Sequence, residues 1–223
     1  MDEQDVPLRV DFRDPATART WIEHTRIKRP HRPRFFAAFC SALAAKPKLR
    51  ILELGSGPGQ LGREILSHCD VASYVALDFS PAMHAIAAEY LGELAARVSF
   101  VVRDFRTPEW ADALGPFDAV VTLQAAHETR HKRHLVPLLA RARSVLAPDG
   151  VLLYADHYVT PETLFAALTP DETRALMPER EEQPLALERA GFANVELRYE
   201  EGNMALWRGT SVLDQRGLDE RRG

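Results

Sequence analysis

From Leu49 onward, short apolar runs alternate with amphipathic stretches. The runs are Leu49–Leu54, Tyr74–Asp78, Val98–Val102, Ala119–Leu123 and Val151–Ala155, and each is apolar on both faces. A strand with one face in water would alternate apolar and polar residues. These do not, so they belong in a sheet covered on both sides. The stretches between them include Gln60–Cys69, Ala82–Leu94 and Lys132–Leu146, which read as helices. Strand and helix in alternation predict an α/β fold with a parallel sheet. Right-handed crossovers then lead to a doubly wound sheet with helices on both faces.

Both ends depart from this rhythm. The first residues, before Pro15, carry no pattern. Two helices are expected over Pro15–Ile27 and Arg34–Ala45, separated by the basic linker Lys28–Pro33, because proline interrupts a helix interior. Near the other end, Val195–Tyr199 and Met204–Trp207 are joined only by Glu200-Glu201-Gly202-Asn203. That turn is too short for a parallel crossover, so the two runs predict an antiparallel hairpin. Before it, Pro184–Ala190 reads as a helix stopped by Gly191.

Composition narrows the class. The chain has 223 residues, 46% hydrophobic and 27% charged, enough to bury a core and too apolar for a disordered protein. A net charge of -4 gives no electrostatic footprint for nucleic acid. Cys40 and Cys69 lack metal or disulfide-framework spacing, which fits a reducing compartment. No apolar run is long enough to span a membrane, and Met1–Asp5 is acidic and polar, unlike a secretory leader. The expectation is a cytoplasmic protein with neither nucleic acid nor membrane as partner.

The chemistry starts at the first strand. Leu49–Leu54 runs straight into Gly55-Ser56-Gly57-Pro58-Gly59. Glycines allow a tight turn and a close ligand, and the helix that follows offers free N–H groups. Gly57, Gly59 and Gly62 also satisfy the dinucleotide pattern, so the turn alone does not say which nucleotide it serves. Asp78 ends the second strand, 19 residues after Gly59, where a carboxylate can accept both ribose hydroxyls. Two further acids discriminate. Glu53 precedes the glycines, and a buried carboxylate there needs a donor or a cation, such as the ammonium of a methionine moiety. Asp104 closes the third strand, where it can accept from an adenine amino group, with Phe105 lining the ring.

With these residues in place, the sequence resembles the class I S-adenosylmethionine-dependent methyltransferases. The resemblance rests on Ile51–Gly59, Ala76–Met83, Arg103–Phe105, Phe117–Val121 and Leu146–Leu152, in that order, and on the terminal hairpin. It implies a Rossmann-like seven-stranded, mostly parallel sheet with an antiparallel last strand, and S-adenosylmethionine across the carboxyl ends of the first strands. By the same resemblance, Glu53, Gly55, Ser56, Gly57 and Gly59 lie at the methionine end. Asp78 then lies at the ribose, Asp104 and Phe105 at the adenine, and Met83 against the ring or simply in the core, with Phe79 and Gln124 as further cofactor-binding positions. The amino-methylating tetrapeptide Asn/Asp-Pro-Pro-Tyr/Phe is replaced by Gln124-Ala125-Ala126-His127-Glu128, which argues against nucleobase or glutamine acceptors. The implied organisation is a helical cap over 1–46, the cofactor domain over 47–209 with a lid insertion near 160–180, and a tail over 210–223.

Methyl transfer needs alignment and, for some acceptors, removal of a proton. Candidate groups lie after the fourth and fifth strands: Gln124, His127, Asp156 and His157. On a helix, His127, His131 and His134 would share a face. Three readings stay open there: His127 as base or substrate contact, a metal site with Asp156 or His157, or a solvated helix start. Asp156 can alternatively tie down its loop, and Tyr158 can face the substrate or pack. Trp21, His24, His31, Arg34 and Phe35 are expected in a cap, with Arg34 able to pair with the cofactor carboxylate. The expected partner is a small-molecule methyl acceptor, taking the methyl on O or N, and a homodimer is compatible with the sequence. An NAD(P)-dependent oxidoreductase and a non-catalytic cofactor-binding partner subunit are the alternatives.

Overall fold

A computed structural model describes residues 4–160 and 168–211. Most of the expected tail, and 161–167 of the expected lid, lie outside the described residues. The elements run α1 (Pro15–Lys28), α2 (Arg32–Leu43), β1 (Leu49–Leu54), α3 (Gln60–His68), β2 (Val71–Asp78), α4 (Pro81–Leu91), β3 (Val98–Val102), β4 (Phe117–Leu123), α5 (Leu135–Ser144), β5 (Leu146–His157), α6 (Pro170–Leu176), α7 (Glu182–Arg189), β6 (Phe192–Glu201) and β7 (Met204–Ser211). They build one seven-stranded sheet in the order β3-β2-β1-β4-β5-β7-β6. β7 runs antiparallel to both of its neighbours, β5 and β6, and the remaining pairs are parallel. The doubly wound sheet and terminal hairpin expected from the pattern are therefore present.

Alternation along the strands explains the two cores. Leu52 and Leu54 point to one face, where they meet Val120, Leu138, Leu139, Leu152 and Tyr154. Ile51 points to the other, with Phe35, Phe39, Leu61, Ile65 and Leu153. Phe35 and Phe39 of α2 are fully buried, so the second helix belongs to the sheet's core. Each such side chain contributes about 1.5–3 kcal/mol through burial. A third, smaller cluster fastens the amino-terminal segment and α1 to α4 through Phe12, Ala18 and Trp21 against Phe79, Met83 and Ile86.

Several boundaries differ from the sequence reading for physical reasons. α2 begins at Arg32, inside the expected linker. Pro33 sits in the first turn of that helix, where its missing N–H has no intrahelical partner to lose. The helix expected over Lys132–Leu146 starts only at Leu135. Ahead of it, Arg130 takes φ +69 and splits the chain into two short 3-10 turns, Ala126–Thr129 and Lys132–His134. His127, His131 and His134 consequently do not share a helical face. β5 is longer than Val151–Ala155 and carries Asp156 and His157 as its last residues, not on a loop after it.

Candidate functional site

Strand order reverses between β1 and β4, which opens a crevice at their carboxyl ends. The glycine turn lies there. Gly55, Gly57 and Gly59 take φ of +67, +49 and +78, the region that penalises side chains. A Cβ on Gly55 would stand 2.4 Å from the Cβ of Ala125 and 3.3 Å from Phe105, so the turn, the β4 loop and the β3 loop press together at this point. A Cβ on Gly57 would meet nothing within 4 Å. Gly57 thus borders open space, beside the free amino-terminal N–H groups of α3.

Asp78 sits against this turn. Its carboxylate accepts from the Gly57 N–H at 2.8 Å and the Ser80 N–H at 2.9 Å. Burial pushes its pKa up against the pull of those backbone donors. Phe79, next in sequence, is flanked by the guanidiniums of Arg13 and Arg106, 4.9 and 5.7 Å from its ring. Met83 is buried in the cluster with Phe12 and Ile86. Asp104 holds Arg106 through both oxygens, at 2.5 and 2.9 Å, and its pKa is depressed because that ion pair outweighs partial burial. A cavity of about 330 Å³ opens beside Phe105, Arg106, Trp110 and Thr129. It lies between the segment that follows β3 and α5, and neither Asp104 nor the glycines line it.

Glu53 is buried beneath α3, where it accepts from the Tyr74 hydroxyl at 2.7 Å. Burial raises its pKa to about 8, against the lowering effect of Tyr74, so the carboxyl is protonated at neutral pH. Ser56 lies 3.5 Å from Nε2 of His84, whose Nδ1 is buried without a partner.

The β4–β5 end is built differently. Gln124 has φ +53 and a buried side chain. Its orientation follows from a chain of hydrogen bonds. The Asn203 amide donates to the Tyr158 carbonyl, leaving its oxygen for Nδ1–H of His157 at 3.2 Å. Burial drives the His157 pKa down to about 3, so the ring is neutral and its Nε2 accepts from the Gln124 amide at 2.7 Å. The Gln124 oxygen is thereby turned toward the amino-terminal segment. It accepts from Arg29 at 2.9 Å and from Arg32 at 2.7 Å. Arg32 also donates to Gln60, the first residue of α3, at 2.6 Å.

His127 and Asp156 form a pair, with Nδ1 2.8 Å from a carboxylate oxygen. The same carboxylate accepts from the backbone N–H groups of His127 and His157. Asp156 therefore ties down the chain and also faces the imidazole, combining two roles that the sequence left as alternatives. Glu128 approaches the other ring nitrogen at 3.5 Å. Burial alone would lower the His127 pKa, but Asp156 and Glu128 outweigh it and hold it at about 10. The ring is an imidazolium at neutral pH. Only about 10 Å³ of free space, room for one water, lies behind it.

Arg34 is not at the site. It is exposed and pairs with Glu201 in the terminal hairpin, 167 residues away. It is an outward-facing residue of α2, while Arg32, two residues earlier, reaches the crevice. Phe35 is buried against Tyr199, Trp21 packs on Phe12 under Arg29, and Tyr158 bonds to Glu200 and Gly202. Sequence reasoning missed Arg29 and Arg32. Their signal was present as the basic linker Lys28–Pro33, which in the sequence reads only as a break between two helices.

Part of the sequence, and the fold, are shared with known proteins. The family model described as a methyltransferase domain matches residues 51–150. Trans-aconitate 2-methyltransferase of Streptomyces avermitilis is 35% identical over 113 residues, covering 48% of this chain and 41% of that protein. The non-reducing polyketide synthase SAT8 of Stachybotrys chartarum is 35% identical over 112 residues, 48% of this chain and 4% of that protein. This chain thus spans less than half the length of either relative. Human N-acetylserotonin methyltransferase, solved with S-adenosylmethionine, shares the fold with a TM-score of 0.66 and 16% identity, over 90% of this chain and 57% of that one.

Proposed function

We propose that the chain, whose residues 51–150 match a methyltransferase domain, is a class I S-adenosylmethionine-dependent methyltransferase that transfers the methyl group of S-adenosylmethionine to an oxygen or nitrogen of a small molecule. The observation that carries the reading is the array at the ends of β1, β2 and β3. There Gly57 borders open space, Asp78 closes on the turn, and Asp104 precedes Phe105, which lines a cavity. This donor set suits the cofactor. Asp78 takes the ribose hydroxyls, Asp104 and Phe105 the adenine, and the turn from Gly55 to Gly59 the methionine backbone. Arg32, beside Gln60 at the start of α3, replaces Arg34 as the partner of the methionine carboxylate. Glu53 supports the turn from below, as a protonated carboxyl held by Tyr74.

Bound there, the cofactor supplies a methyl group already activated by its sulfonium. The protein's residues align the acceptor and manage its charge. Gln124, locked by His157 and Asn203, stands at the junction between the two halves of the crevice. His127 faces the acceptor. An imidazolium has no lone pair to take a proton, so below pH 10 its role is to steady negative charge on the acceptor, and it becomes a base only above that pH. Asp156 and Glu128 keep it charged.

Calorimetry with S-adenosylmethionine, S-adenosylhomocysteine and NADH tests the reading. We expect the two sulfur ligands to bind and NADH not to. NADH binding without the sulfur ligands would replace it with an oxidoreductase. Cofactor binding with no S-adenosylhomocysteine release across a broad acceptor screen would favour a non-catalytic subunit.

A further inference from the structure

Arg29 and Arg32 pose an electrostatic problem that the cofactor reading solves only halfway. Both guanidiniums converge on one neutral oxygen, that of Gln124. Burial lowers the pKa of each, and the proximity of Arg29 helps bring Arg32 down to about 9. Among the described residues, neither makes an ion pair with a carboxylate, while nearby Arg130 has Glu128 and Arg34 has Glu201. Two like charges desolvated side by side are unfavourable unless an anion joins them. The Gln124 oxygen is a planar, neutral stand-in, aimed at them by the His157 and Asn203 relay.

Arg32 is accounted for by its second bond, to Gln60 at the head of α3, on the cofactor side. Arg29 has no such link. Its other neighbour is the face of Trp21, 5.7 Å away. The field it feels comes from Asp156 and Glu128, the residues around His127. Bonded to Gln124 but not to Gln60, Arg29 is the member of the pair without a tie to the head of α3. His127 is a further cation, and its two carboxylates are already engaged by His127 and Arg130.

We propose that the methyl acceptor is a small organic acid, and that Arg29 recognises its carboxylate at the junction above Gln124. This rests on the methyltransferase reading and names the chemical class of its substrate. Trp21 buttresses the guanidinium by a cation–π contact, which leaves its donors free to grip a planar anion. The carboxylate takes the place that the Gln124 oxygen fills. The group that receives the methyl lies deeper, toward His127.

The test uses the full chain saturated with S-adenosylhomocysteine, probed by calorimetry with benzoate, glutarate and trans-aconitate, with their methyl esters, and with phenyl phosphate. At least one free acid is expected to bind, with its ester at least about tenfold weaker, the scale of a lost charge-assisted bond. Arg29→Gln should lose about tenfold or more in affinity for that acid, and Arg29→Lys should recover part of it. S-adenosylhomocysteine affinity should change less than about twofold in both variants, since Arg29 has no tie to the head of α3. Arg29→Gln abandons no ion pair, only the bond to Gln124 and the contact with Trp21, so its melting temperature should stay within a few degrees of the parent's. The proposal is overturned if none of the acids binds, if esters or the phosphate bind as well as the acids, or if Arg29→Gln binds the acid normally. Failure of the parent chain to bind S-adenosylhomocysteine would instead overturn the methyltransferase reading.

Discussion

At the ends of β1 to β3, the acids find their partners within the first three strands and the turns that follow them. Asp78 is held by Gly57 and Ser80, and Asp104 by Arg106. At the ends of β4 and β5 the balance is reversed. Arg29, Arg32 and the His127 imidazolium crowd around one amide and two carboxylates, and their partners come from segments far apart. The first half suits a ligand presenting hydroxyls and amines. The second suits a ligand that brings negative charge. One crevice thus has an acceptor-rich end and a cation-rich end, with Gln124 between them.

That contrast is broken most severely at the turn on which the two halves meet. Gly55→Val would force a side chain at φ +67 into Ala125. Strained and overpacked, it should reduce S-adenosylhomocysteine affinity by about 100-fold or more, measured by calorimetry, with a lowered melting temperature. Next comes Asp156→Ala, which leaves His127 buried without its main counter-ion. Breaking a buried pair should cost about 3–5 kcal/mol in denaturant titration. The same change should lower the His127 pKa from about 10, followed by NMR of the ring protons, while cofactor affinity stays within about threefold.

The pH dependence sharpens the comparison without a mutation. His127 is raised above its ordinary 6.5 to about 10 by the fold. Its contribution to stability is therefore complete below pH 6.5 and disappears as the pH rises through about 10. If its charge serves the acceptor, turnover should hold steady across neutral pH and fall as 10 is approached. A rise over that interval would identify it as a base instead. His127→Ala should lower turnover by about 100-fold and leave cofactor affinity nearly unchanged. A smaller effect is expected from Tyr74→Phe, which removes a single bond to Glu53 and should cost about 1–2 kcal/mol. The smallest is Arg34→Ala, whose guanidinium is exposed and paired with Glu201. It should leave S-adenosylhomocysteine affinity unchanged, where removal of a cofactor clamp would not.

The half of the site that was legible in the sequence is the half made by local chain geometry. The run from Glu53 to Gly59 is a strand entering a turn, and the positive φ values at Gly55, Gly57 and Gly59 follow from that turn alone. Asp78 ends β2, the neighbour of β1, and Asp104 follows β3, the next strand out, so their spacing along the chain maps onto spacing along the sheet edge. His127 and Asp156 were each legible as candidates, because they follow or end strands four and five. Their pairing was not, since 29 residues separate them and a 3-10 turn, not a helix, aims the imidazole.

What sequence alone determined, then, is the doubly wound sheet, the reversed hairpin and the glycine turn, all encoded by short-range periodicity and by glycine's backbone freedom. Tertiary structure alone decided which cations enter the crevice. Arg29, Arg32 and Arg34 lie within one basic stretch, and nothing in their order distinguishes them. Their fates diverge because α2 begins at Arg32 and packs Phe35 and Phe39 against the sheet. That packing fixes the helix's rotation, turning Arg34 outward to Glu201 and bringing Arg32, with Arg29 in the preceding turn, to the oxygen of Gln124. A charge on a helix has meaning only relative to the face that is buried, and the fold chooses that face.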